Sequence, residues 1–320
     1  MNALEATSGS SSLKVFIAFV PPLIWLLYFR ERESFVTPFR AVWVALLCGA
    51  AVTYPAGLIQ NFLSNSPDIS FRWFYELALI KALTVDGINP QYVVESIVYG
   101  GVIEESLKLA AVFLVFGALR SSLRAADLAI IGIAVGCGFA IVENFMRYFE
   151  MADWQRGAWS RSLMGAHVFY GAIMGSFLAF GFMRCGSYLM FVMAFAVPIL
   201  LHATYNQALA MNVVSGEAGE LSRVVFTAVV LISALMALFL TRRVWSLDLV
   251  TRQGSSAPAT HFWMKHPRLR AWVWRSLSLL LGALGVLFLS WGGFSYGESS
   301  VLAVLALSMS LLFGLHRTRI

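Results

Sequence analysis

Long apolar runs, separated by short polar or basic connections, make up most of the chain. Runs of this kind approach the roughly 20 residues that carry a helix across a bilayer. They place about nine spans, near 13–29, 39–61, 92–119, 126–148, 162–183, 187–211, 222–241, 271–292 and 299–316. The predicted fold is all-α, a polytopic transmembrane helix bundle. Within the connection 62–91, the stretch 71–84 is apolar with Arg72, Glu76 and Lys81 at intervals, which predicts a helix lying on the membrane surface. The connection 246–270 is polar and basic, and its QGSSAPAT stretch reads as a flexible linker. No internal repeat is present. The pattern divides the chain into N-terminal spans with an interfacial segment (1–91), a four-span core (92–212) and C-terminal spans with a basic loop (213–320).

Charge then gives the pattern a direction. Lys and Arg gather on the cytoplasmic side of membrane proteins. With the N-terminus outside and the C-terminus inside, the inner connections and span edges hold fifteen Lys and Arg and the outer ones seven; the remaining cation, Lys108, lies within a span. Only Lys14 precedes the first run and YFRERE follows it, so an uncleaved first span is expected rather than a signal peptide. Composition agrees with a lipid-embedded chain: 59% of its 320 residues are hydrophobic and 12% charged. The net charge of +6 is accounted for by membrane-flanking cations, and no nucleic-acid partner is expected. Cys48, Cys137 and Cys185 lie in or at the ends of apolar runs and show no metal or redox spacing. Trp245, Trp272, Trp274 and Trp291 fall near span ends, where aromatic belts form.

Four successive spans carry polar groups that the others lack. The third holds Glu104, Glu105 and Lys108 in GVIEESLKLAAVF. The fourth holds Glu143 and Asn144 in FAIVEN, the fifth His167, and the sixth His202 and Asn206 in HATYN. Ionisable groups inside a membrane are expensive and face the bundle interior or a water cavity. Both acids of the third span lie within one helical turn of Lys108, which balances their charge. Counted from the outer end at 1.5 Å per residue, His167 and Glu143 lie about five residues deep, His202 about nine and Glu104 about twelve. One pocket opening outward would hold them all. Glycines in GIAVGCG and the GxxxG pair Gly171 and Gly175 permit close helix packing there.

Two histidines and a carboxylate, here Glu143, His167 and His202, suit a catalytic zinc with one position left for water. A further glutamate would take the water's proton and pass it to a leaving amine, and Asn206 would donate to the developing oxyanion. The same groups also suit metal-free chemistry, with a glutamate activating water directly. No HExxH is present, so a zincin helix is excluded.

These residues resemble the PrsW family of intramembrane proteases. EESLK is similar to its EExxK motif and FAIVEN to its FxxxEN motif, while His167 and HATYN stand where its third and fourth motifs fall. The likeness covers roughly residues 90–212, about two fifths of the chain. The family is grouped with the CAAX prenyl proteases and the Aph subunit of gamma-secretase.

The resemblance implies a catalytic set of Glu104, Glu105, Glu143, His167 and His202 with Asn206 assisting. It also implies a membrane-anchored protein substrate, such as an anti-sigma factor cut at an extracytoplasmic site, and a bacterial inner membrane as the location. Residues beyond 270 and the basic loop, with His261 and His266, lie outside the likeness. Two other classes compete: a non-catalytic scaffold whose polar residues pair for packing, and a proton-coupled transporter. The missing repeat and the single polar block count against the transporter.

Overall fold

The computed structural model describes residues 3–32, 37–65, 90–150, 165–183, 187–211 and 217–251. Every regular element among them is helical. In chain order they are α1 (Ala3–Arg32), α2 (Phe39–Asn65), α3 (Pro90–Glu95), a π-helical segment (Ser96–Glu104), α4 (Glu105–Ala118), a short 3₁₀ turn, α5 (Asp127–Glu150), α6 (Ala166–Met183), α7 (Tyr188–Met211) and α8 (Glu217–Thr251). Among the described residues, six helices are long and apolar enough to cross a membrane: α1, α2, α5, α6, α7 and α8. They coincide with the expected spans 13–29, 39–61, 126–148, 162–183, 187–211 and 222–241. The expected third span is helical from 90 to 118, but its middle is wound as π-helix rather than α-helix. The expected interfacial helix, most of the basic loop and the last two spans lie outside the described residues.

α5 and α6 form the centre. α6 is buried from Ala166 to Gly181, and α5 from Asp127 to Ile141. Ser176 and the polar residues toward their ends apart, these helices are apolar all round, as a fully enclosed helix requires. Lipid tails are as apolar as leucine, so close backbone approach and dispersion must hold such helices together. The glycines supply that approach. A Cβ on Gly132 would overlap the Gly171 carbonyl, and one on Gly136 would overlap the carbonyl of His167 itself. On the other side of α5, Gly138 meets the Leu46 carbonyl of α2 and Gly49 of α2 meets the Val135 carbonyl. α1 and α4 also pack on α5, while α7 and α8 pack on α6. In contrast, the outward faces of α2 and α8 expose large apolar side chains such as Leu47, Phe62, Leu235 and Phe239. Those faces suit lipid.

α8 continues ten residues beyond its expected end at 241. Arg242 and Arg243 end the apolar run, but Val244, Trp245 and Asp248 are buried again. Arg124, between α4 and α5, holds Asp248 through a guanidinium contact at 3.2 Å. It also binds Asp127 in the first turn of α5. The Arg124 backbone N–H donates to Asp127 Oδ2 at 2.6 Å, and the Asp127 N–H returns a bond to the Arg124 carbonyl at 3.1 Å. That reciprocal pair starts α5 as a capping box does. Thr37, ahead of α2, donates to Asp127 Oδ1 at 2.9 Å. One polar clasp therefore joins two connections and the start of α5 to the last turns of α8 at one end of the bundle.

Candidate active site

The second polar cluster lies toward the opposite end of α5 and is assembled from α4, α5, α6, α7 and the π segment. α5 brings Phe139 and Glu143 to one place, one helical turn apart. Gly165, with φ of +58°, turns the chain into α6, so His167 stands in that helix's first turn. His202 lies in the second half of α7, and Tyr170 of α6 stacks on its ring at 5.2 Å between centroids. The π segment ends between the two glutamates: Glu104 is its last residue, and α-helical register resumes at Glu105. A wider turn rotates less per residue, so adjacent side chains diverge less than in an α-helix. π-turns inside helices recur at functional sites.

Lys108 is fully enclosed and sits at the middle of the cluster. Its ammonium donates to Glu105 Oε1 at 2.7 Å and to His167 Nδ1 at 2.9 Å. It stands 3.8 Å from Glu104 Oε2 and 4.1 Å from the centre of the Phe139 ring. Lysine only donates, so Nδ1 of His167 accepts and its proton is on Nε2. Nε2 then donates to Glu143 Oε2 at 2.6 Å. The other oxygen of Glu143 accepts from Arg147 at 2.7 Å, the pairing that four-residue spacing allows. His202 Nδ1 donates to Glu105 Oε1 at 2.8 Å. Its Nε2, the acceptor in the neutral ring, faces Glu104 Oε2 across 3.8 Å. A gap of that width is too long for a hydrogen bond and suits a bridging water.

Two carboxylate oxygens are left over. Glu104 Oε2 and Glu105 Oε2 are buried and accept no hydrogen bond from the described residues. Buried polar atoms without partners are uncommon in folded proteins and call for an explanation. One ligand atom from each of Glu104, His167 and His202 lies within 4.8 Å of the other two, so these three can hold a metal ion. This set has Glu104 where the sequence pattern suggested Glu143. Glu143 instead accepts from His167 Nε2, the nitrogen left on the side away from Lys108. Lys108 already occupies the space at Nδ1 of His167, so a metal would have to take Nε2 and displace the Glu143 bond. His202 needs no such exchange: its Nε2 is available and Glu105 holds the other nitrogen, as carboxylates do behind metal-bound histidines. The orphaned Glu104 oxygen and the available imidazole nitrogen thus fit a metal such as zinc.

The structure brings Glu104, Glu105, Lys108, Glu143, His167 and His202 together. Asn206 lies at the edge, against Gly100 of the π segment: a methyl group there would collide with Asn206 Nδ2 and come 3.4 Å from His202 Nε2. Among the described residues Asn206 makes no hydrogen bond. Gln60 of α2 was not apparent in the sequence, yet its amide donates to Glu104 Oε1 at 3.0 Å and to the Tyr99 carbonyl at 3.1 Å. Its only signal is the amide pair Gln60 and Asn61 in the otherwise apolar run GLIQNF. Tyr170 gave no signal, since an aromatic residue in an apolar helix is ordinary.

Part of this sequence is shared with known proteins. The "Protease PrsW" of Shouchella clausii (strain KSM-K16) is 31% identical over 134 residues, which cover 41% of this chain and 61% of that protein. The chain therefore matches about three fifths of the length of this curated relative. No solved structure matches. The family model described as "PrsW family intramembrane metalloprotease" matches residues 37–239, from the end of the α1–α2 connection to well within α8, and takes in every residue of the cluster. The chain belongs to the PrsW family of intramembrane metalloproteases.

Proposed function

We propose that this protein is a membrane-embedded peptidase, and that Glu104 and His202 hold the attacking water. The observation that carries the reading is the buried Glu104 Oε2, which has no hydrogen bond from the described residues and faces His202 Nε2 across 3.8 Å. A water between them would donate to the carboxylate and to the imidazole. As its oxygen attacks the carbonyl carbon of the scissile peptide, Glu104 Oε2 takes the proton. The proton then passes to the leaving amide nitrogen, and the C–N bond breaks. Asn206, whose amide is uncommitted among the described residues, is placed to donate to the oxyanion. Glu105 holds His202 in the tautomer that leaves Nε2 unprotonated. Lys108 sets the tautomer of His167 and balances both acids.

Zinc, bound by Glu104, His167 and His202, would polarise the water and the peptide carbonyl. Glu143, released from His167, would then be the neighbouring carboxylate able to accept a proton. The scaffold reading fits less well. A cluster kept for packing alone should leave no buried carboxylate oxygen unbonded, because such deficits cost more than an apolar replacement.

The orientation follows the charge pattern: N-terminus outside, C-terminus inside, about nine spans, and a site nearer the outer surface of a bacterial inner membrane. Arg147, nearly half exposed beside Glu143, supports an approach from that end of the bundle. The substrate is a membrane-anchored protein, with an anti-sigma-factor-like regulator the example favoured by the family resemblance. The test is cleavage of a membrane-anchored reporter by purified protein in liposomes. Alanine at Glu104, Glu105, His167 or His202 is expected to abolish cleavage while the protein still accumulates, and full activity in all four would overturn the reading. Chelation followed by zinc re-addition tests the metal separately: loss and recovery is expected if zinc takes part, and chelator-insensitive cleavage by metal-free protein removes it.

A further inference from the structure

We propose that Gln60 is a positioning residue for Glu104, acting from outside the helices that carry the polar motifs. Gln60 is part-buried on α2, and its side-chain nitrogen has two protons to give. One goes to Glu104 Oε1 at 3.0 Å and the other to the carbonyl of Tyr99 at 3.1 Å. Both acceptors belong to the π segment. The amide thus reads two points of that segment at once, a backbone carbonyl and the carboxylate five residues later.

The consequence for Glu104 is directional. A carboxylate on a flexible side chain can present either oxygen to either side. Gln60 takes Oε1, so Oε2 is the oxygen left toward Lys108 and His202, at 3.8 Å from each. α7 closes the opposite side of the segment. Ser96 donates to Gln207 at 3.3 Å, and a Cβ on Gly101 would press on Ile199 of α7 at 3.0 Å. Glu104 is therefore held between α2 and α7, with Gln60 as the contact on the α2 side. Outer partners of this kind commonly change activity or metal affinity ten- to hundredfold when removed.

The kinetic part of the inference rests on the peptidase reading; the contact itself does not. Gln60→Met keeps the length of the side chain and removes both donors. In liposomes the variant is expected to lower kcat for a membrane-anchored reporter by about ten- to hundredfold, with KM within about twofold of the parent and an unchanged melting temperature. Infrared difference spectra provide a readout free of activity. Bands lost in Glu104→Gln identify the Glu104 carboxylate, and Gln60→Met is expected to shift those bands. Unmoved bands overturn the proposal. So does a raised KM at unchanged kcat, which would make Gln60 a substrate contact, or a fall in melting temperature that matches the loss of activity. Shifted bands in a protein whose parent cleaves nothing would fell the peptidase reading and leave the Gln60–Glu104 contact standing.

Discussion

Two buried polar clusters lie toward opposite ends of α5, and they differ in one respect that separates structure from chemistry. At the clasp, Asp127 accepts four bonds: from Thr37, from the Arg124 backbone and from two guanidinium nitrogens. Both of its oxygens are saturated, and Arg124 reaches Asp248 as well. At the other cluster, six ionisable side chains meet, yet Glu104 and Glu105 each keep one oxygen without a donor among the described residues. Burying a carboxylate in low dielectric is costly, and a cluster that serves only the fold recovers that cost by complete pairing. The clasp does this. The Glu104 cluster does not, and the deficit faces an imidazole nitrogen that is itself an acceptor. A site meant to bind water or a cation needs that deficit.

The comparison is broken most strongly at Glu104 and Glu105. Glu105→Gln is expected to reduce cleavage by about 10²–10⁴-fold, because Lys108 loses its counter-charge and an amide that can also donate no longer fixes the tautomer of His202. Cleavage of a reporter in liposomes, set against the amount of folded protein, checks this. The opposite behaviour is expected at the clasp. Asp127→Ala leaves Arg124 with one carboxylate instead of two and should destabilise the bundle by roughly 3–5 kcal/mol, the range for breaking a buried pair. Melting temperature and yield in detergent should fall, while the folded fraction keeps its specific activity.

A packing variant tests how far the α5–α6 contact aligns the two histidine-bearing helices. Gly136→Val forces a side chain into the carbonyl of His167 and should both lower stability and move His167 away from Glu143. Thermal melting and cleavage together read this, and an effect on neither would contradict the close approach. The smallest change is expected at Arg147. Its ion pair with Glu143 is half exposed at 2.7 Å, so Arg147→Ala should cost no more than about 1 kcal/mol of stability and lower cleavage only a few-fold. Salt titration of the parent protein should mimic it.

How much of this was legible depends on the reach of each signal. Apolar length placed the six long helices well, because lipid imposes its period on every residue of a span. Charges within spans drew attention to Glu104, Glu105, Lys108, Glu143, His167 and His202 for the same reason, and the EExxK and FxxxEN motifs added the family. What sequence left unread is contact between distant positions. Lys108 was assigned to its own helix neighbours, but half of its bonding goes to His167, 59 residues away. Gln60 stands 44 residues from Glu104, and an uncharged amide does not stand out in a search for ionisable groups. α8 runs past its apolar stretch because Asp248 meets Arg124, 124 residues earlier. The π segment is invisible for another reason. Its residues are as apolar as the rest of the span, and the extra residue per turn changes the direction of side chains without changing their type. The choice between Glu143 and Glu104 beside the histidines rested on that direction, so spacing alone had no means of making it.

Glu104→Gln puts the contrast between the clusters to its most direct test. It keeps the shape of the side chain and removes the buried charge whose second oxygen has no donor. Melting temperature and reporter cleavage should be measured on the same liposome preparation. Cleavage is expected to vanish while the melting temperature holds or rises, as it does when a site's unmet polar demand is relieved. Parental cleavage rates, or a melting temperature that falls as far as that of Asp127→Ala, would show that Glu104 serves the fold and not the reaction.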